Sequence, residues 1–282
     1  VPTTDRFKGV SHFTESTLTT QIKENLKSYI DWALLGIGGF VNVQYPSPSI
    51  YGGDQSTLKP ATDINYPSGT VWQSARANWV YESGLEYQTQ PINISGVTVN
   101  NVFHTALTLP FFIDYPQGRI VFNSPISLNS VVRCNYSYKA VNVVTSDHPW
   151  FKELQKNSFR VDSPLFDIVG SGDWSLLGKQ RLQLPAIIIE PVPRRAFQGY
   201  QLGGGQMVQQ NVLFHVISQF DHDRDFLADV LSMQNEKTLL FFDVNRIAAS
   251  GDSPLTYLGS KSDNCKTYPQ LTSTYLWKKC YF

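Results

Sequence analysis

Residues 221–225, Asp221-His222-Asp223-Arg224-Asp225, put three carboxylates and an imidazole into five positions, with His215 a short way upstream. Those residue types could hold a metal ion or move a proton, but the spacing disfavours both. A calcium loop needs a glycine at its sharp bend and a distal bidentate glutamate; no glycine lies in the turn and no glutamate in the twelve residues from Asp221. Zinc needs several His or Cys at ligand spacing, and His215 and His222 have no third partner nearby. A metal-dependent hydrolase centred on Asp221, Asp223 and His215 is therefore the outlying reading. A simpler one makes Asp221 the N-cap of a helix. Asp223 and Asp225 then fall in its first turn, where carboxylates offset the helix dipole. No metal or cofactor is expected.

The other chemistry-bearing residues are scattered. His12, His104, His148, His215 and His222 form no HExxH, and no GxSxG nucleophile elbow occurs. Gly203-Gly204-Gly205 precedes a strand pattern rather than a helix, and no Gly-Lys-Ser/Thr follows. It reads as a hairpin tip, not a phosphate loop. Asp114-Tyr115 and Asp173-Trp174 set single carboxylates beside aromatics, whereas a glycosidase needs two at a defined separation. Trp72, Trp79 and Tyr81 could stack on sugars or pack a β-core. The chain is expected not to be an enzyme.

Composition narrows the partners. Lys+Arg and Asp+Glu are equal at 23 each among 282 residues, so no global field draws the chain to nucleic acid or an anionic membrane. Charged residues are 16% and aromatics 13%. That balance suits a protein that buries surface against neighbours, although a β-rich fold also raises aromatic content. Cys134, Cys265 and Cys280 are odd in number with no CxxC spacing, so free thiols are expected. Neither a secretory segment nor a membrane-spanning apolar run is found, and synthesis in a cytosol is the expectation.

The elements that would position these residues follow from periodicity. Residues 15–35 read as an amphipathic helix with Leu18, Ile22, Leu26, Tyr29, Ile30, Ala33 and Leu34 on one stripe, Thr14 as N-cap and Gly36, Gly38 and Gly39 as terminators. A short strand at 40–44 follows. The Pro- and Gly-bearing stretch 45–69 reads as loop. From 70 to 145 the pattern is β, with a tight hairpin at Asn100-Asn101, another around Pro116-Gln117-Gly118, and a long strand at 131–144 whose parity shift predicts a bulge near Ala140. Residues 146–182 read as connection, with a short helix at 148–155. Strands at 184–192 and 208–217 follow, the latter expected to be buried on both faces. A helix with Phe226, Leu227, Val230 and Leu231 inward comes next, and 272–282 alternates as a strand.

Neither end of the chain has enough partners to close a core alone. The expected fold is α+β: an antiparallel sheet flanked by helices, built from both chain ends, 1–45 and 183–282. A mainly-β, sandwich-like domain at 70–145 is inserted, and 46–69 and 146–182 connect. In ENLKSYIDWALLGIGGFVNVQ, NVLFHVISQ and DHDRDFLADVL, this layout resembles the tail-terminator, or tail-completion, proteins of tailed bacteriophages. The stretch VTVNNVFHTALTLPFFIDYPQGRIVFNSPISLNSVVRCNYSYKAVNVV is similar to β-modules of phage virion proteins.

The resemblance implies a non-enzymatic virion protein that forms a ring, hexameric or otherwise cyclic, at the neck or head-proximal tail end. Its partners would be itself and other neck or tail proteins, with no specific nucleic acid and no membrane, after synthesis in the host cytoplasm. Subunit contacts are expected at Arg194 and Arg195, and at Tyr275, Trp277, Tyr281 and Phe282 of the terminal strand, which could instead dock on the parent sheet. The alternative is a carbohydrate- or receptor-binding β-module.

Overall fold

The computed structural model describes residues 18–49, 52–152, 182–199 and 206–281. Thr14, His12, Asp173, Trp174, the glycine triplet and Phe282 lie outside the described residues.

Helix α1, Leu18–Gly36, buries Ile22, Leu26, Ile30 and Leu34 on one stripe, as the spacing predicts. Gln21 and Asn25 are buried on it too. Asn25 does what a neighbouring strand would do: its amide donates to the Phe242 carbonyl at 2.9 Å and accepts the Phe242 N–H at 2.7 Å. Replacing Asn25 by leucine strands both backbone groups in the interior, and urea unfolding should register a loss of about 2–3 kcal/mol. The helix stops where the glycines allow it. Gly39 donates to the Leu34 carbonyl at 2.8 Å, and Gly38 takes φ +89° directly beneath the Tyr87 ring.

Nine strands follow: β1 Phe40–Val43, β2 Thr57–Pro60, β3 Val71–Gln73, β4 Val97–Val99, β5 Val102–His104, β6 Phe111–Asp114, β7 Arg119–Phe122, β8 Val132–Arg133 and β9 Tyr136–Lys139. Seven of them form one antiparallel sheet in the order β5-β4-β8-β2-β3-β7-β6, and β1 pairs separately with β9. Leu58, Trp72, Trp79, Val97, Ile120, Phe122, Val132 and Tyr136 fill the core beneath. Asn100 and Asn101 both adopt positive φ in the β4–β5 hairpin, as read from sequence. Thr57–Pro60 lies in the stretch read as loop; its Lys59 and Pro60 sit opposite Gln73 and Trp72, a long-range pairing that turn residues on either side obscure.

The long strand expected at 131–144 is three strands. Around Ala140, where one bulged ladder was expected, the chain changes sheets instead: β9 ends on β1, and β10, Asn142–Thr145, pairs with β11, Ala186–Gly199. That pairing is parallel, which corrects the expectation of an antiparallel sheet here; the long connection between β10 and β11 gives room for the crossover that parallel strands need. Strand β12, Gln206–Ile217, then pairs antiparallel with β11.

Next come helix α2, Asp221–Ser232, strand β13, Thr238–Phe242, helices α3, Val244–Ser250, and α4, Tyr268–Thr274, and strand β14, Leu276–Tyr281, antiparallel to β13. The stripe of α1 packs with Val143, Ile187 and Ile189 of β10 and β11, with Leu227 of α2, and with Leu239 and Phe241 of β13. Asp243 caps α3, accepting from Asn245 and Arg246.

Three expectations need correction. β12 is an edge strand of its sheet among the described residues, and Leu213 stays half exposed: Val212, Phe214 and Val216 meet the α1 core while the opposite face is only partly covered. Phe226, placed on the inner stripe of α2, is 58% exposed, because Leu227, Val230 and Leu231 already span the contact. The first residues of the expected terminal strand belong to α4, where Pro269 opens the helix and the Thr267 N–H donates to the Gln270 side chain.

Candidate functional site

The carboxylates of the acidic turn are paired with their own neighbours. Phe220, extended at φ −116° and ψ 139°, is the N-cap of α2, and Asp221 already lies inside the helix. Its carboxylate therefore stands beside the first turn rather than beneath its N–H groups, and accepts from Arg224 at 2.9 Å instead of capping. Arg224 also meets Asp225 at 2.9 Å, and His222 pairs with Asp223 at 2.8 Å. His215 turns away to Glu190 at 2.7 Å across the β11–β12 ladder, beside the Phe151 ring. Among the described residues no group of three His, Cys, Asp or Glu could hold a metal ion. Since Asp221 caps nothing and contributes only an exposed first-turn charge, Asp221→Ala should cost no more than about 0.3–1 kcal/mol in urea; a loss of about 2 kcal/mol would restore the capping role.

Two of the three sugar-stacking candidates are interior, and Tyr81 is partly buried. Trp72 and Trp79 are buried; the Trp72 Nε1–H donates to the Gly69 carbonyl at 3.0 Å, and Trp79 stacks on Tyr136 with centroids 4.4 Å apart. Tyr81 packs edge-on to Tyr115. Asp114 accepts from Arg119 Nε at 2.8 Å and so braces the β6–β7 hairpin.

One charged cluster was not foreseen. Lys139, at a polar position of an alternating strand, is buried and donates to Asp31 of α1 and to Glu82 at 2.6 Å, under the Tyr81 ring. Its partners are 108 and 57 residues away in the chain, so nothing local marks the site. Burial pushes the Glu82 carboxyl up, as does the Asp31 charge; burial alone would lower the Lys139 ammonium, but the two carboxylates outweigh it and hold it high. With its charges facing one another, the cluster works as a staple between α1 and the β-strands.

The expected contact residues divide. Arg195 is used within the chain, donating to Gln210 and to Thr19 of α1. Tyr275 donates to Asp252 under the cations of Arg246 and Lys266, and Trp277 packs against the α1 core. Arg194 is exposed and Tyr281 is 85% exposed.

What remains open is a hairpin arm. Between Pro191↔Val212 and Arg195↔Gln210 the register slips, so Val192-Pro193-Arg194 stand opposite Asn211 alone. Proline supplies the reason, since Pro193 has no N–H for the ladder. Gln210 repairs part of the break by donating to the Val192 carbonyl. Beyond this bulge β11 and β12 continue together to Gly199 and Gln206, with Phe197 52% and Met207 51% exposed. Such a two-stranded ribbon with apolar side chains in solvent is marginal alone and suited to a partner.

Near the other end of β12, Ile30, Ala33, Leu34 and Ile37 of the α1 region, with Val230 and Leu231 of α2, line an apolar groove of about 190 Å³. Comparison of the chain with family models, curated proteins and solved structures returns no match.

Proposed function

We propose that this chain is a structural protein of a tailed-phage virion, acting without catalysis as the subunit of a cyclic ring at the neck or head-proximal tail end. The observation that carries the reading is the hairpin arm beyond the Pro191–Arg195 bulge, a ribbon that leaves apolar side chains in solvent. The sequence resemblance to tail-terminator proteins and the low share of charged residues, 16%, support the same reading. On this proposal 1–45 and 183–282 form the ring-forming unit from both chain ends, flanked by helices, and 70–145 is an inserted module whose last strand, β10, pairs with β11 of that unit. Trp72 and Trp79, two of the three aromatics on which the glycan-binding alternative would rest, are buried, which favours the ring reading. Mass photometry of the purified protein at micromolar concentration should find closed oligomers, hexamers or another cyclic number, that bind isolated phage tails. A persistent monomer that ignores tails would overturn the proposal.

A further inference from the structure

We infer that the groove between α1 and α2 receives the hairpin arm of a second copy of this chain, with Phe197 as the anchor; the inference rests on the ring reading and names its contact. The groove, about 190 Å³ and apolar along Ile30, Ala33, Leu34, Ile37, Val230 and Leu231, exceeds the roughly 150 Å³ of a dry apolar cavity that admits benzene. A phenylalanine ring is of that size. The only cation at the groove among its lining residues, Lys237, is tied to Gln234 at 2.8 Å.

Charge selects the same occupant. Positions 192–199 and 206–211 of the arm carry no carboxylate; Arg195 is held within its own chain, and Arg194 is the exposed cation. The adjoining helix α2 carries Asp221, Asp223, Asp225 and Asp229 against the single cation Arg224. Attraction between such surfaces steers association and fixes its register.

Geometry then requires another copy. Phe197 stands opposite Val208, whereas Ile187 of the groove lining stands opposite Val216, at the far end of the same strand. At about 3.4 Å per residue the two sites lie roughly 25–30 Å apart on a rigid ladder, so an arm cannot reach its own groove. Donor and acceptor at opposite ends of a subunit make a heterologous contact, which propagates from copy to copy until rotation closes it.

The test uses two variants and their mixture, sized by mass photometry. Phe197→Ser removes the anchor and leaves the groove; Ala33→Trp fills the groove and leaves the arm. Wild type should form particles larger than a dimer, and each variant alone should be monomeric. An equimolar mixture should yield dimers, because one intact arm meets one intact groove; that rescue also shows both variants are folded. Phe197→Leu, which keeps an apolar anchor, should assemble. Wild-type rings with either variant assembling normally, or a mixture that stays monomeric, would overturn this contact and leave the ring reading standing. A wild-type particle of one or two subunits would overturn this contact, and a monomer that also ignores phage tails would overturn both.

Discussion

Lys139→Ala is expected to lower the free energy of unfolding by about 3–5 kcal/mol in urea titrations near neutral pH, because it leaves two partly buried carboxylates facing each other with no cation between them. Asp31 and Glu82 converge on the Lys139 ammonium from α1 and from the segment after Trp79. Removing the lysine therefore converts a satisfied site into like-charge repulsion between two partly buried carboxylates. The pH dependence separates this from simple loss of packing. In the wild type, Lys139 has a folded-state pKa raised above its ordinary 10.5. Its contribution is complete below that value and is lost as pH climbs through the raised one.

Glu82 runs the same way. Burial favours its protonated form, so the folded state binds the proton more tightly than the unfolded chain, and stability declines as pH rises past its ordinary 4.5. In the alanine variant that second effect has no cation to offset it. The variant's deficit should shrink as pH is lowered from about 8 to about 5. A deficit independent of pH would mean that the lysine acts only through its aliphatic stem.

Trp79→Ala should cost a similar amount, about 3–5 kcal/mol, for a different reason. The indole fills the centre of the β-core, stacks on Tyr136, and donates from Nε1 to the Arg76 carbonyl at 3.0 Å and to Ser74 Oγ at 3.2 Å. Truncation opens a large cavity and strips those acceptors of a donor. Trp79→Phe keeps most of the ring and loses only the N–H, so its urea midpoint should fall between alanine and wild type. If alanine at this position cost under about 1 kcal/mol, the site would have to collapse fully, which a close-packed core seldom does.

Sequence and structure agree where the physics is local. The α1 stripe repeats every three to four residues and closes on glycines; the Asn-Asn hairpin tolerates positive φ; Val132, Cys134, Tyr136 and Tyr138 alternate into one core. Agreement fails where a residue's fate is set by chain about a hundred positions away. Ser137 and Lys139 alternate like a solvated face, yet both are buried, because Asn42 and Asp31 reach them from the N-terminal part of the chain. The apolar run in β12 suggested burial on both faces, but periodicity cannot tell how many neighbours a strand will have. The acidic turn shows the same limit at short range: Asp at a helix start favours a cap, yet a one-residue difference in where the helix begins turned Asp221 toward Arg224 instead.

The core around α1 has an implication for the order in which a ribosome delivers it. The strands from Phe40 to Lys139 find one another within the first half of the chain, whereas the α1 stripe waits for Leu239, Phe241 and the β14 partner of that strand. At roughly 5–20 residues per second, translation brings β14 out about seven to thirty seconds after β9. Until then the apolar side of α1 lacks part of its cover. A nascent chain interrupted before β14 would keep a finished β-module attached to an unfinished core, a natural substrate for chaperones and proteases. Synthesis itself would then act as a checkpoint on completion of the core.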